Sequence, residues 1–153
     1  MYTNNITPNF TYEEIYRSEY AARHAIDNES RDLPTLYTLY QCAWRMEMIR
    51  SVLGDKGIHP SSWYRCPKLN EAIGGSEKSQ HMRGEAVDFI CPNFGPPREI
   101  VSFLHAKRHR VQYDQLILEH TWVHISFALI PPCTPRKQTL ILQPDKTYIP
   151  WEK

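Results

Sequence analysis

The feature that most restricts the fold of this chain is a pair of apolar, alternating segments separated by only two residues. They run from Gln115 to Glu119 and from Trp122 to Leu129. Because so short a link joins neighbouring antiparallel strands, the pair predicts a β-hairpin. Two further segments, 85–91 and 139–142, have the β-branched and apolar residues typical of strands. The second half of the chain therefore predicts a small antiparallel sheet.

Helical patterns precede most of these strands. Thr11 and Ser18 are suitable N-caps for two short helices, and Asp32 caps a longer one that ends before Gly54. The long helix has apolar residues three and four positions apart, which predicts one buried stripe: Leu36, Leu39, Ala43, Met46, Ile49 and Leu53. Another helix is expected over 97–108. Early helices followed by interleaved strands predict an α+β fold, in which the sheet packs against the N-terminal helices.

Length and charge narrow the possible functions. The chain has 153 residues, 41% of them hydrophobic, which predicts a single domain over 1–153. A net charge of +1 disfavours a nucleic-acid-binding protein, although 107–110 is a basic run. No apolar run approaches the ~20 residues of a transmembrane helix, so no membrane insertion is expected. The segment 1–14 lacks the pattern of a secretory signal, which predicts synthesis in the cytoplasm.

The four cysteines are widely spaced and form no paired motif. Their spacing does not match a structural zinc site, and without a signal peptide a disulfide framework is not expected. We predict free thiols that are mostly buried.

Two histidines and one aspartate are candidates for a metal site. His81 lies in a glycine-marked loop, Asp88 lies within the predicted strand 85–91, and His124 lies in the second strand of the hairpin. An aspartate in an apolar strand is costly to bury unless it meets a cation. Two histidines and a carboxylate leave one zinc coordination position open, as catalytic sites require. The residues predict a catalytic zinc site.

Each of these residues also has an ordinary explanation. A strand histidine is commonly a partly buried structural residue, and an aspartate can accept backbone hydrogen bonds. His120 is a rival ligand because it is close to His124, but in a tight turn it is expected to face away. Glu119 ends the strand next to His124 and is the candidate general base. Otherwise it is a solvated acid at the edge of the sheet.

Two motifs carry a resemblance to a known family. The first is SxHxxGxAxD, from Ser79 to Asp88, and the second is WVHIS, from Trp122 to Ser126. The chain resembles the zinc D-alanyl-D-alanine carboxypeptidase and peptidoglycan endopeptidase family, whose fold the hedgehog signalling domain shares. The segments 62–70 and 74–76 support the resemblance, which runs from about Phe10 to Leu142. It is greatest for the small peptidases that phages encode.

The resemblance implies a role for each matching residue. His81, Asp88 and His124 would bind one Zn²⁺ ion. Arg65 would steady the substrate carbonyl or the oxyanion, and the resemblance also assigns substrate binding to two residues of the motifs, Ser79 and Trp122. Gly84 and Ala86 need only be small, so that the loop can turn toward the metal.

The chain departs from the family at the catalytic acid. Many members have this acid three residues before the last histidine, where this chain has Thr121. Glu119 lies five residues before His124, and the tight turn would have to bring it back toward the site. The base assignment therefore depends on the geometry of that turn.

The implied function is hydrolysis of an amide bond in peptidoglycan stem peptides, with Glu119 activating the zinc-bound water. The enzyme would be a D,D-carboxypeptidase or an endopeptidase such as a phage lysin. We expect a monomer that acts at the bacterial cell wall. The alternative is a noncatalytic zinc-binding structural module of a phage particle.

Overall fold

The computed structural model describes residues 4–152. Six helices occur in this range, namely α1 Tyr12–Tyr16, α2 Glu19–Arg23, α3 Leu33–Val52, α4 Pro67–Ala72, α5 Pro97–Ala106 and α6 Arg108–Val111, and one 3-10 turn, Gln80–Arg83. The strands are β1 Asn5–Thr7, β2 Phe10–Thr11, β3 His59–Ser62, β4 Ala86–Ile90, β5 Gln115–Glu119, β6 Trp122–Ser126, β7 Gln138–Leu142 and β8 Tyr148–Pro150. None of the helices in the described part of the chain has the length and apolar character needed to cross a membrane.

The α+β fold is confirmed, but the main sheet is mixed rather than purely antiparallel. Its six strands have the order β3-β4-β6-β5-β7-β8. The pairing of β5 with β7 is parallel, whereas the other four pairings are antiparallel. After β6, residues 127–137 cross over the end of β5 at which β5 begins. Strand β7 then starts on the side of β5 that faces away from β6. This proline-rich crossing at one end of the sheet makes β7 parallel to β5.

The helix caps follow the sequence prediction. Thr11 and Glu14 form a capping box at α1, because each side chain accepts a hydrogen bond from the other residue's backbone N–H. Ser18 caps α2, which ends at Arg23. Asp32 accepts a hydrogen bond from the backbone of Thr35 at the start of α3. Local sequence therefore fixes where these helices begin.

Alternation along the central strands separates the core from the site. Val87 and Phe89 of β4, and Val123 and Ile125 of β6, are all 0% exposed. Their side chains belong to the main hydrophobic core, and α5 packs against β5 and β6. Helix α5 therefore covers the core face of β5 and β6, whereas the N-terminal helix α1 contacts β3. Side chains of odd and even positions point to opposite faces, so the polar residues between these apolar ones face a cleft.

The cysteine prediction is confirmed. All four are free thiols, three of them buried and one exposed. Burial raises the pKa of the Cys91 thiol, which keeps it protonated at neutral pH.

Candidate metal centre

The register of β4 and β6 brings two of the candidate ligands together. Asp88 and His124 are direct partners across this antiparallel pair, so their side chains leave the same face of the sheet. Asp88 is 5% exposed although it is charged. The third candidate, His81, comes from the 3-10 turn that precedes β4.

The 3-10 turn is held so that His81 faces Asp88. Its Nδ1 lies 2.7 Å from the carbonyl oxygen of Trp63, which can only accept a hydrogen bond. The turn ends at Gly84, whose φ of +73° is the left-handed conformation that glycine adopts most readily. A Cβ at this position would lie 2.8 Å from the side chain of Leu39. Gly84 therefore has to be small, as the motif indicated.

The three side chains converge on one point. Their ligand atoms all lie within 4.8 Å of one another. Asp88 Oδ1 is 2.8 Å from His124 Nδ1 and 3.3 Å from His81 Nε2. The side chains of His81 and His124 are 4% and 12% exposed, so one side of the cluster remains open. His120 is not part of the group in the described residues.

Protonation favours metal binding at these residues. Burial lowers the pKa of His81, so the neutral imidazole is favoured. Burial alone would raise the pKa of Asp88, but the electrostatic interaction of its carboxylate with His81 and His124 outweighs burial and holds the pKa well below its usual range. A neutral imidazole and an ionised carboxylate are the forms that bind a metal ion.

The donor set fits zinc. Because His81 uses its Nδ1 proton for Trp63, its Nε2 presents a lone pair to the Asp88 carboxylate 3.3 Å away. Two electron-pair donors that face each other at this distance are stabilised by a cation between them. Two nitrogens and one oxygen with an open side match the ligands of a catalytic zinc site. The cluster is therefore a site for one metal ion.

Arg65 supports the carboxylate from the side away from the histidines. Its Nη2 donates to Asp88 Oδ2 at 2.8 Å, and its Nε donates to Ser62 Oγ at 2.9 Å. The guanidinium is thus held in a fixed orientation, with its side chain 18% exposed at the edge of the cleft. Among hydrogen bonds of the described residues, none occupies its Nη1.

Glu119 lies on the same cleft as the three ligands. It is the last residue of β5, and its Cα partner Trp122 is the first residue of β6, so the turn contains only two residues. Burial raises the pKa of Glu119, and the nearby Asp88 carboxylate raises it further, whereas His124 and Arg65 lower it. The short turn therefore leaves Glu119 beside the cluster rather than in solvent.

We call this opening the metal cleft. It has a volume of about 460 Å³, and its lining includes Arg65, His81, Asp88, Glu119 and His124. Ser79 also lines the metal cleft, where the sequence prediction placed a substrate-binding residue. Trp122 lines a neighbouring cleft instead.

Three residues of the metal cleft were not singled out in the sequence. Lys78 and Arg136 add positive charge, and Tyr148 of β8 adds a phenol. Burial raises the pKa of Tyr148, and the charges of Glu119 and Asp88 raise it further. Tyr148 lies in a three-residue strand that ends at a proline, so no periodic pattern indicated it.

A network of hydrogen bonds anchors the metal-ligand turn to the C-terminal segment. Gln80, which precedes His81, donates from Nε2 to Asp114 Oδ2 at 3.0 Å and accepts from Arg136 Nη2 at 3.0 Å. Arg136 Nε also donates to Asp114 Oδ2 at 3.0 Å. Burial alone would raise the pKa of Asp114, but the hydrogen bonds from Arg136 outweigh it and lower the pKa. The network therefore connects the 3-10 turn that carries His81 to Arg136, which is distant in sequence.

Comparison with known proteins agrees with this geometry. The chain is 32% identical over 88 residues to the zinc D-Ala-D-Ala carboxypeptidase of Streptomyces albus G. That match covers 56% of this chain and 32% of the relative, so the chain spans only about a third of the relative's length. A family model described as peptidase M15 matches residues 8–126, which include all three metal ligands, Arg65 and Glu119. The chain therefore belongs to the peptidase M15 family.

Proposed function

We propose that this protein is a zinc-dependent peptidase that hydrolyses an amide bond in peptidoglycan stem peptides. The observation that carries the proposal is the convergence of His81, Asp88 and His124 on one open cleft. The same cleft contains a carboxylate, Glu119, and a guanidinium, Arg65. These groups are the ones that amide hydrolysis at a metal site requires.

The proposed chemistry divides between the metal and the protein. Zinc bound by the three ligands would polarise the substrate carbonyl and lower the pKa of a water molecule. Glu119 accepts the proton of the attacking water at its carboxylate and then passes it to the leaving amine. Its partly buried position suits a base, since burial weakens competing hydration.

Arg65 stabilises the transition state. The bonds to Asp88 and Ser62 hold two of its nitrogens, so the guanidinium needs little reorganisation during the reaction. A fixed cation near a developing oxyanion lowers the barrier, because the negative charge appears only in the transition state. Ser79, on the same cleft wall, is proposed as a hydrogen-bond partner of the substrate.

The substrate class rests on the relative and on charge. The matching relative is a zinc D-Ala-D-Ala carboxypeptidase by name, and the substrate proposed for this chain by analogy is a stem peptide of peptidoglycan. Lys78, Arg65 and Arg136 line the metal cleft, and cations of this kind bind the carboxylates of stem peptides. The proposed place of action is therefore the bacterial cell wall, as for a phage lysin.

Mass spectrometry of muropeptides tests the proposal directly. Zinc-loaded protein is incubated with purified muropeptides, with the His81→Ala variant as the control. We expect peptide fragments of reduced mass with the zinc-loaded protein and unchanged muropeptides with the variant. Unchanged muropeptides in both reactions would contradict the proposal and favour the noncatalytic structural module.

Arg65→Lys is expected to lower kcat/KM on the order of 10²-fold, which is the usual effect of losing one oxyanion donor. Lysine keeps the charge, but it cannot hold Asp88 and Ser62 together through a planar fork. The variant should still bind zinc in a 1:1 ratio, which elemental analysis measures. Arg83→Lys is the matched control, because Arg83 pairs with Glu85 outside the metal cleft. Equal kcat/KM in the two variants would contradict the role of Arg65.

A further inference from the structure

A second cleft adjoins the metal cleft on the same face of the sheet. It is lined by residues of α2, β3, α4 and β4, together with the turn between β5 and β6. We call it the apolar cleft and define it by Tyr20, Leu69, Ile73, Ile90 and Trp122. Its volume is about 980 Å³. A volume of this size accommodates a whole small ligand rather than one small residue.

The two clefts meet beside the metal centre. Arg65 and Asp88 line both of them. The metal cleft extends over β5, β7 and β8 through Ile117, Leu140 and Tyr148, and the apolar cleft extends over β3 and β4 on the other side. The ligands therefore lie between two open regions and not at the end of one.

The dimensions suit an extended peptide that crosses the strands. Neighbouring strands lie about 4.8 Å apart, so the six strands span about 24 Å. An extended chain advances about 3.3–3.6 Å per residue, so roughly seven residues would fit along the sheet. Such a peptide would pass the metal centre near its middle.

The two clefts differ in chemistry. The metal cleft carries Lys78 and Arg136, which suit a carboxylate-bearing segment. In the apolar cleft, Tyr20, Ile73 and Ile90 are 38%, 42% and 37% exposed. Large apolar side chains that share one concave surface indicate an interaction site. The apolar cleft is also lined by charged and ionisable residues, namely Arg17, Glu19 and His59. A peptide segment whose small apolar side chains contact Tyr20, Ile73 and Ile90 fits the apolar part of this surface.

We propose that the apolar cleft binds the part of the peptide on the second side of the scissile amide, so that the enzyme cleaves an internal bond. This inference rests on the proposed function and specifies it: the protein is an endopeptidase. The occupant of the apolar cleft is the substrate itself, because this cleft adjoins the proposed reaction site at Arg65 and Asp88. Its apolar lining removes alanine-like side chains from water when the substrate binds.

The product pattern distinguishes an endopeptidase from a carboxypeptidase. Zinc-loaded protein is incubated with monomeric and cross-linked muropeptides, and the fragments are identified by mass spectrometry. We expect cleavage in which both fragments retain two or more amino-acid residues. Release of single terminal residues alone would overturn this inference and leave the proposed function intact. No hydrolysis of either substrate would overturn both.

Substitutions in the apolar cleft test its role in binding. Ile73→Ser and Ile90→Ser should each lower kcat/KM for the internal bond about tenfold, mainly through KM, because an apolar contact with substrate is lost. The matched control is Ile149→Ser, since Ile149 is 42% exposed like Ile73 but lines neither cleft. All three variants should keep the wild-type melting temperature and zinc content. Equal kcat/KM in the three variants would overturn the inference.

Discussion

His124→Ala is expected to abolish both stoichiometric zinc binding and peptide hydrolysis. His124 supplies one of the three ligand atoms that converge among residues 4–152, and its Nδ1 lies 2.8 Å from Asp88 Oδ1. Loss of a residue that merely supports a ligand typically lowers metal affinity by about 10–100-fold, so loss of a ligand itself should cost more. Zinc affinity is measured by competition with a chromophoric chelator, and hydrolysis is measured on muropeptides.

His120→Ala is the matched control for this prediction. His120 lies four residues from His124 in the turn between β5 and β6, and its ring faces that of Trp122 at a centroid distance of 6.4 Å. We expect the control to retain zinc and activity, whereas His81→Ala should behave like His124→Ala. Full zinc occupancy in His124→Ala would show that the ion binds elsewhere.

Local patterns in the sequence predicted the strands that carry Asp88 and His124, and the resemblance of the two motifs assigned the ligands. Alternation placed Asp88 and His124 opposite the core residues Val87 and Val123, and the structure pairs the two ligands directly. The short link between β5 and β6 fixed the hairpin and its register. Such features depend on neighbours along the chain, and strand periodicity reports them.

Features that depend on distant segments were not predictable in this way. Strand β7 lies parallel to β5 because of the crossing over 127–137, and no periodicity encodes the path of a loop. The contact of Arg136 with Gln80 joins residues 56 positions apart. Tyr148 reaches the metal cleft only because β8 pairs with β7. The wall of the cleft is thus set by tertiary packing.

The residues that line the metal cleft also differ in whether the family model matches them. The family match ends at residue 126, after the last ligand. Leu140, Tyr148 and Arg136 lie beyond this limit, yet all three line the metal cleft. The matched region therefore includes the three ligands, whereas this part of the wall of the metal cleft comes from outside it. Specificity is the property most sensitive to such differences.

Glu119→Gln should retain zinc and lose activity. Glutamine has nearly the same shape, but its amide cannot accept a proton from water, and general-base catalysis contributes about 10²–10⁴-fold. We therefore expect kcat on muropeptides to fall within this range, while zinc binding measured by chelator competition stays unchanged. Glu71→Gln is the control, because Glu71 is exposed on α4 and lines neither cleft. Wild-type kcat in Glu119→Gln would refute its role as the base.

The position of Thr121 makes a second variant decisive. Many members of the family have the catalytic acid three residues before the last histidine, at the position of Thr121. Here Thr121 is exposed in the turn and lines the apolar cleft, whereas Glu119 lines the metal cleft. A carboxylate at position 121 would therefore lie in the apolar cleft and not in the metal cleft. We expect the double variant Glu119→Gln/Thr121→Glu to remain as inactive as Glu119→Gln. Recovery of kcat in the double variant would show that the turn can present an acid from either position, which would contradict the conclusion that only position 119 reaches the site.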